Sequence, residues 1–238
     1  MIYLLADVHG DLDSFIAMLN KIGFKSDKDK MIIIGDVLDR NDKSLELLEL
    51  VRHHIDQGNM KLLKGNHEYF AQQYILGDLR GRTWDIYGGE MTRKQVDCLE
   101  YHKKEDLLSF ITSLEYYDTI KSPKYGEMVL THTGLQFDHI IRTKGKVDVI
   151  KSLEDGYKSD EFEFLVNTDM HILELETLRE TDHFIVCGHV CTYNLNQNGE
   201  SCAYINPYYM DIDCGCGHRT HGGKLCCYCV DEDIFEYI

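Results

Sequence analysis

Apolar residues in this chain come in short runs that stop at polar clusters, and each cluster is followed by apolar positions at helical spacing. Ile2-Tyr3-Leu4-Leu5-Ala6 predicts a strand, Asp7-Val8-His9-Gly10-Asp11 a polar turn, and Leu12, Phe15, Ile16, Leu19 and Ile22 one face of a helix. The plan repeats with Met31-Ile32-Ile33-Ile34, the loop Gly35-Asp36-Val37-Leu38-Asp39-Arg40, and a helix marked by Leu45, Leu47, Leu48, Leu50, Val51 and Ile55. Ser44 or Asp42 could cap that helix. A third unit has a short strand over 60–63, the loop Lys64-Gly65-Asn66-His67-Glu68, and a helix from Tyr69 to Leu76. Three such units predict a parallel sheet with its site at the carboxyl ends of the strands.

From 77 to 117 the pattern changes. Two helices over 94–114 and a Gly-containing connection over 84–92 predict a helical insertion that caps the site or covers a sheet face. Strands resume over 127–131, ending in His132-Thr133-Gly134, and over 183–187, ending in Gly188-His189, with a polar helical stretch to Thr181 between them. Segments 202–205, 209–212, 224–230 and 234–237 read as antiparallel strands, with Gly222-Gly223 as a hairpin turn. The expected fold is α/β, two packed mixed sheets flanked by helices. It forms one domain over 1–238 with the insertion at about 77–117.

Composition bounds the function more than the fold. The 238 residues are 43% hydrophobic with only 2 Pro, enough for a real core and without a linker. A net charge of -16 argues against general nucleic-acid binding and against anionic membranes, since both partners are polyanions. The apolar start ends at Asp7, too early for a secretory signal or a membrane span. The 9 cysteines are odd in number, which predicts reduced thiols and a cytoplasmic location.

The chemistry lies in the polar clusters. Two acids and a guanidinium within residues 35–40 are costly to bury unless a cation and an anion bind there. Asp7, His9, Asp36, Asn66, His132 and His189 all stand at expected strand ends. Carboxylates, imidazoles and one amide oxygen suit manganese, iron or zinc better than calcium. Six ligands exceed what one open metal site needs. Two ions sharing Asp36 would use them all.

In order, DVHGD, GDVLDR, GNHE, HTG and GH resemble the motifs of the PPP-type metallophosphoesterases, in the calcineurin-like superfamily that includes Ser/Thr protein phosphatases. The resemblance covers nearly the whole chain and implies a four-layer α/β/β/α sandwich. It also implies two divalent ions, manganese first, with Asp7, His9 and Asp36 on one and Asp36, Asn66, His132 and His189 on the other. A bridging hydroxide would attack phosphorus in line, His67 would protonate the leaving oxygen, Asp39 would orient His67, and Arg40 would bind the phosphoryl group. The expected activity is phosphomonoester hydrolysis of the Ser/Thr protein phosphatase type, on a phosphorylated protein or small phosphoester. The alternative is a symmetrical dinucleoside tetraphosphatase, and a third reading is a weakly active regulatory or zinc-binding protein.

Ala6 and Asn41 stand where the family usually has Gly, and two further features need weighing. The family's second phosphate-binding Arg has no counterpart over 164–169, and Arg142 or Arg179 is the candidate substitute. The tail carries Cys214, Cys216, Cys226, Cys227 and Cys229 near His218 and His221, read either as a zinc site or as small apolar core residues. Strand alternation sends Cys226 and Cys227 to opposite faces, which favours the core. The other histidines, among them His53, His54, His102, His139, His171 and His183, read as surface or core groups.

Overall fold

The computed structural model describes residues 1–238. The first three units form as expected. They are β1 (Ile2–Leu5), α1 (Leu12–Ile22), β2 (Lys30–Ile33), α2 (Ser44–Asp56), β3 (Met60–Leu62) and α3 (Asn66–Leu76). The insertion follows as α4 (Gly81–Ile86), α5 (Glu90–Asp97) and α6 (Tyr101–Thr112). Next come β4 (Tyr117–Ser122), β5 (Gly126–Thr131), and the paired β6 (Arg142–Thr143) and β7 (Lys146–Val147). The last part holds α7 (Val149–Ser159), α8 (Glu161–Val166), α9 (Leu175–Arg179), β8 (Phe184–Cys187), β9 (Tyr204–Ile205), β10 (Tyr209–Asp211), β11 (Cys226–Cys229) and β12 (Ile234–Tyr237).

The strands form two five-stranded mixed sheets, ordered β12-β11-β1-β2-β3 and β4-β5-β8-β10-β9. Alternation along each strand builds the layers. Leu4, Ile32, Cys226 and Tyr228 point between the sheets and meet Met128, Val186 and Met210 from the other side. Their neighbours Leu5, Ile33 and Cys227 point outward and pack under α1 and α2. On the far side, Val129, Ile185 and Tyr209 pack against Leu153, Phe164 and Leu178 of α7, α8 and α9. Each fully buried aliphatic side chain here contributes about 2 kcal/mol. The result is the four-layer α/β/β/α sandwich.

Several sequence expectations are corrected. β10 runs parallel to β8, not antiparallel, and it lies in a different sheet from β11. No hairpin therefore turns at Gly222-Gly223. A 3-10 turn over Cys216–His221 ends there instead, with Gly222 left-handed at φ 79°. The chain needs that passage because it crosses from one sheet to the other. β4 was not expected, since Tyr117-Asp118-Thr119-Ile120 lacks a fully apolar face and stays half-buried at the sheet edge. The polar stretch before Thr181 is interrupted by the β6-β7 pair. Lys43 holds the cap position of α2, where neither Asp42 nor Ser44 makes a capping hydrogen bond. The connection over 84–92 is largely helical, split between α4 and α5.

Candidate active site

The loops after β1, β2, β3, β5 and β8 converge. Backbone hydrogen bonds join the first two, from His9 N–H to the Asp36 carbonyl at 2.9 Å and from Gly10 N–H to the Val37 carbonyl at 2.7 Å. Gly188 N–H likewise donates to the His132 carbonyl at 3.0 Å. Eight non-glycine residues have positive φ, and six of them are Asp7, His9, Asp36, Asp39, Arg40 and His189. Left-handed backbone costs a residue with a Cβ roughly 1 kcal/mol or more, and such strain gathers where side-chain direction matters. The motif glycines have a separate reason. A Cβ on Gly65 or Gly188 would collide with the carboxylate of Asp36 or Asp7 respectively.

The structure brings all six expected ligand residues together. His132 Nε2 lies 3.4 Å from Asp36 Oδ2, and His9 Nε2 lies 3.8 Å from Asp36 Oδ2 and 3.9 Å from Asp7 Oδ1. Asn66 Oδ1 sits between His132 Nε2 at 2.9 Å and His189 Nδ1 at 3.0 Å. Two clusters of convergent atoms share Asp36, one with His9 and His67, the other with His132 and His189, each within 4.8 Å. Asp7 Oδ1 and His9 Nε2 are buried with no hydrogen-bond partner. Such orphans are costly, and a divalent cation would satisfy both. The donor set therefore fits two ions about one shared carboxylate.

Backbone groups fix the rings. His9 Nδ1 meets the Leu38 carbonyl at 2.9 Å, and His132 Nδ1 meets the Ile34 carbonyl at 3.0 Å. In both cases Nε2 is the atom left for a metal. Asn66 and His67 lie in the first turn of α3 rather than on an extended loop. The Glu68 carboxylate accepts from four backbone N–H groups, those of Asp36, Val37, Leu38 and Gly65.

Electrostatics separates His67 from His9 and His189. Its Nε2 is 3.8 Å from Asp36 Oδ2, the same distance as His9 Nε2, so distance does not distinguish them. Burial and the Arg40 charge hold His9 well below its usual value, which leaves a neutral ligand. At His67 burial again opposes the charge, but Asp36 and a 2.7 Å hydrogen bond from Nδ1 to Asp39 Oδ2 outweigh it and raise the pKa. A charged ring donates protons and does not ligate. Burial lowers His189 to about 3. For His132, burial is outweighed by the Asp36 charge and the pKa rises to about 9. A cation at Asp36 would displace that proton.

Three sets of supports go beyond the sequence reading, in which Trp84, Gly88 and Thr92 only resemble the family's connection. Trp84 Nε1 donates to Asp39 Oδ2 at 2.6 Å. Thr92 Oγ1 and Ser44 Oγ accept from Asp39 N–H at 3.2 and 2.9 Å, and the Gly88 carbonyl accepts from Arg40 N–H at 2.9 Å. The insertion thus grips the loop after β2. Third, His218 Nε2 lies 2.7 Å from Arg40 Nη1. Burial and the Arg40 charge lower the His218 pKa, so its neutral ring can accept from the guanidinium. Nothing in the spacing of the tail pointed to that contact. Arg142 pairs with Glu180 and Arg179 reaches Tyr208, so neither substitutes at the cleft. The open cleft itself measures about 720 Å³ and includes Arg40, His67, Phe70, Tyr87, His189 and His218.

Comparison with known proteins agrees with this geometry. The model of the family described as calcineurin-like phosphoesterase matches residues 1–218. The bis(5'-nucleosyl)-tetraphosphatase PrpE [asymmetrical] of Bacillus subtilis (strain 168) is 24% identical over 149 residues, 58% of this chain and 59% of that protein. A symmetrical bis(5'-nucleosyl)-tetraphosphatase of Escherichia coli O1:K1 / APEC is 26% identical over 165 residues, 69% of this chain and 53% of that one. The chain thus spans little more than half the length of these relatives. Among solved structures, a putative diadenosine tetraphosphatase superposes with TM-score 0.64 at 13% identity, over 100% of this chain and 92% of that one. A cold-active protein-tyrosine phosphatase of a psychrophilic Shewanella superposes with TM-score 0.59 at 19% identity, over 99% and 79%. At these identities the structures speak to the fold, while the family match covers most of the chain, and this protein belongs to the calcineurin-like phosphoesterase family.

Proposed function

We propose that this chain hydrolyses a phosphoric anhydride bond in a dinucleoside polyphosphate, with two divalent ions, manganese first, held by Asp7, His9, Asp36, Asn66, His132 and His189. The observation that carries the choice of substrate is the aromatic rim of the cleft. Tyr87 is 48% exposed and stacks on Phe70 at 4.7 Å, in the same cleft as Arg40. Ile86 and Met91 extend that surface, and both are exposed. A phosphate grip beside an aromatic shelf suits a nucleotide, whose base gains about 1–3 kcal/mol by stacking. The names of the curated relatives favour the same substrate class over the phosphoprotein that the motifs alone ranked first.

The bound ions would supply an acidified water and neutralise phosphoryl charge. The chain supplies the rest. Arg40 presents a planar fork to the phosphoryl oxygens, and His218 orients it as an acceptor. His67 carries a proton on Nε2 toward the leaving oxygen, while Asp39 fixes Nδ1. The P–O bond to the departing nucleotide breaks as the P–O bond to water forms. Phosphomonoester hydrolysis is the second reading, because a charged His67 backed by Asp39 matters most for a poor leaving group such as a serine alkoxide.

The test is a side-by-side assay with manganese of diadenosine tetraphosphate, a phosphoserine peptide and p-nitrophenyl phosphate. The expected result is the highest kcat/KM on the dinucleotide. Product analysis separates two ADP from ATP plus AMP. Tyr87→Ala should raise KM for the dinucleotide and leave that for p-nitrophenyl phosphate alone. A phosphopeptide kcat/KM above that of the dinucleotide would overturn the proposal in favour of the second reading.

A further inference from the structure

On the helix-covered face of the second sheet, three metal-ligating side chains meet that the proposed reaction does not use. Cys187 ends β8 and Asp211 ends β10, and the two are register partners in parallel strands. Their side chains therefore stand on the same face. His171 comes down from the 3-10 turn Asp169–His171. One ligand atom from each lies within 4.8 Å of the other two. Cys187 and Asp211 are fully buried, and the His171 side chain is 5% exposed.

The arrangement differs from an ordinary buried ion pair. His171 Nε2 is 3.3 Å from Asp211 Oδ2, yet it makes no aligned hydrogen bond and has no other partner. Meanwhile the second polar atom of each group is engaged. His171 Nδ1 meets the Tyr209 hydroxyl at 3.2 Å, and Asp211 Oδ1 accepts from Asp213 N–H at 2.8 Å. Cys187 Sγ is 3.9 Å from Asp211 Oδ2 and 3.6 Å from the Met210 carbonyl. So Nε2, Oδ2 and Sγ face one another with their supports already in place, as outer partners hold ligands at metal sites.

We propose that His171, Cys187 and Asp211 form a zinc-class site, separate from the candidate phosphoesterase centre. Tetrahedral zinc with bonds of about 2.0–2.3 Å sets its ligand atoms roughly 3.3–3.8 Å apart. The 3.3 Å separation falls in that range, the 3.9 Å one lies just above it, and the third pair is within 4.8 Å. Imidazole, thiolate and carboxylate make a borderline donor set that favours zinc over magnesium or calcium. A water completes four-coordination. Burial raises the Asp211 pKa to about 6, and a cation would keep that carboxylate ionised. The Cys187 thiol must ligate as thiolate, so its proton leaves to solvent as the ion enters. The bound ion would pin the 169–171 turn to the ends of β8 and β10. In the tail, Cys226 and Cys227 point to opposite sides of their sheet and so do not share one site.

A cobalt(II) thiolate band separates a sulfur-containing site from the candidate phosphoesterase centre, and the Cys187 variant assigns it. The candidate phosphoesterase centre has no cysteine, so a thiolate-to-cobalt charge-transfer band in the near ultraviolet reports only a sulfur ligand. Full-length protein, stripped with chelator and titrated with cobalt, should show that band saturating at one equivalent per chain. The band should vanish in Cys187→Ser, weaken in His171→Ala, and persist in Cys227→Ser and in Asp36→Asn. Its persistence in Asp36→Asn distinguishes this site from the phosphoesterase centre, whatever the outcome there. Absence of the band in wild type, or an undiminished band in Cys187→Ser, would overturn the proposal. If circular dichroism shows Cys187→Ser unfolded, His171→Ala decides, and an undiminished band in it is equally fatal.

Discussion

His67 and Asp39 meet at 2.7 Å in an aligned hydrogen bond, whereas His171 and Asp211 approach to 3.3 Å without aligning. Both pairs are an imidazole and a carboxylate removed from water. In the first, Asp39 also receives the Trp84 indole N–H, and a second carboxylate, Asp36, lies 3.8 Å from the ring. That surplus of negative charge raises the ring's pKa against its burial. In the second, the ring nitrogen has no hydrogen-bond partner, and a thiol lies within 4.8 Å of it. The same two functional groups can thus hold a proton or leave room for a metal. The choice lies in what their remaining atoms touch. An aligned bond with further donors favours a charged ring, and a misaligned one with a free lone pair favours a ligand.

The variant expected to separate the two regions most is Asp36→Asn. It removes the carboxylate shared by both halves of the candidate centre. The expected loss is about 4 kcal/mol of transition-state stabilisation, roughly 10³-fold in kcat/KM, with loss of metal there. Metal analysis with kinetics checks it, and retention of two ions would break the shared-carboxylate model. Next is His67→Asn, expected to cost roughly 10²-fold or more on an alkyl phosphate and much less on p-nitrophenyl phosphate, with metals retained. His171→Asn should leave the ratio of those two rates unchanged. Equal losses on both substrates in His67→Asn would erase the distinction between the pairs.

Arg40→Ala is expected to lose about 3 kcal/mol, or roughly 10²-fold in kcat/KM, with metal content intact. An unchanged kcat/KM would make Arg40 a structural partner of His218 only. The smallest effect belongs to Trp84→Phe, which strips one donor from Asp39 and makes the first pair resemble the second. The lost hydrogen bond is worth about 1 kcal/mol, so a roughly 5-fold fall in rate on alkyl phosphates is expected, checked against an unchanged rate on p-nitrophenyl phosphate.

The centre was legible in the sequence because its side chains follow directly from strands that announce themselves. Ile32 to Ile34 must be buried, so Asp36 is where the chain first meets water or a ligand. The supports were not legible, since they act across long separations. Trp84 reaches Asp39 over 45 positions and His218 reaches Arg40 over 178. No periodicity encodes such a contact. The direction of β10 was misread for a related reason. Tyr209-Met210-Asp211 has the same apolar pattern whichever way it pairs, and only the crossing at Gly222 reveals that its successor belongs to the other sheet. His171 was set aside as an ordinary histidine because its partners Cys187 and Asp211 lie far along the chain.

The Glu68 carboxylate has a consequence for how this region opens. It gathers the N–H groups of Asp36, Val37 and Leu38 from one loop and of Gly65 from another. The strained backbone after β2 is therefore held by the first turn of α3, and neither segment can loosen while the other stays closed. Amide hydrogen exchange should find these four protons leaving together in one cooperative event, slower than the exposed turns. Replacing Glu68 with Gln, which can serve fewer of the four, should speed all of them at once. Rigidity of the ligand loop is thus set by a side chain that touches neither substrate nor metal.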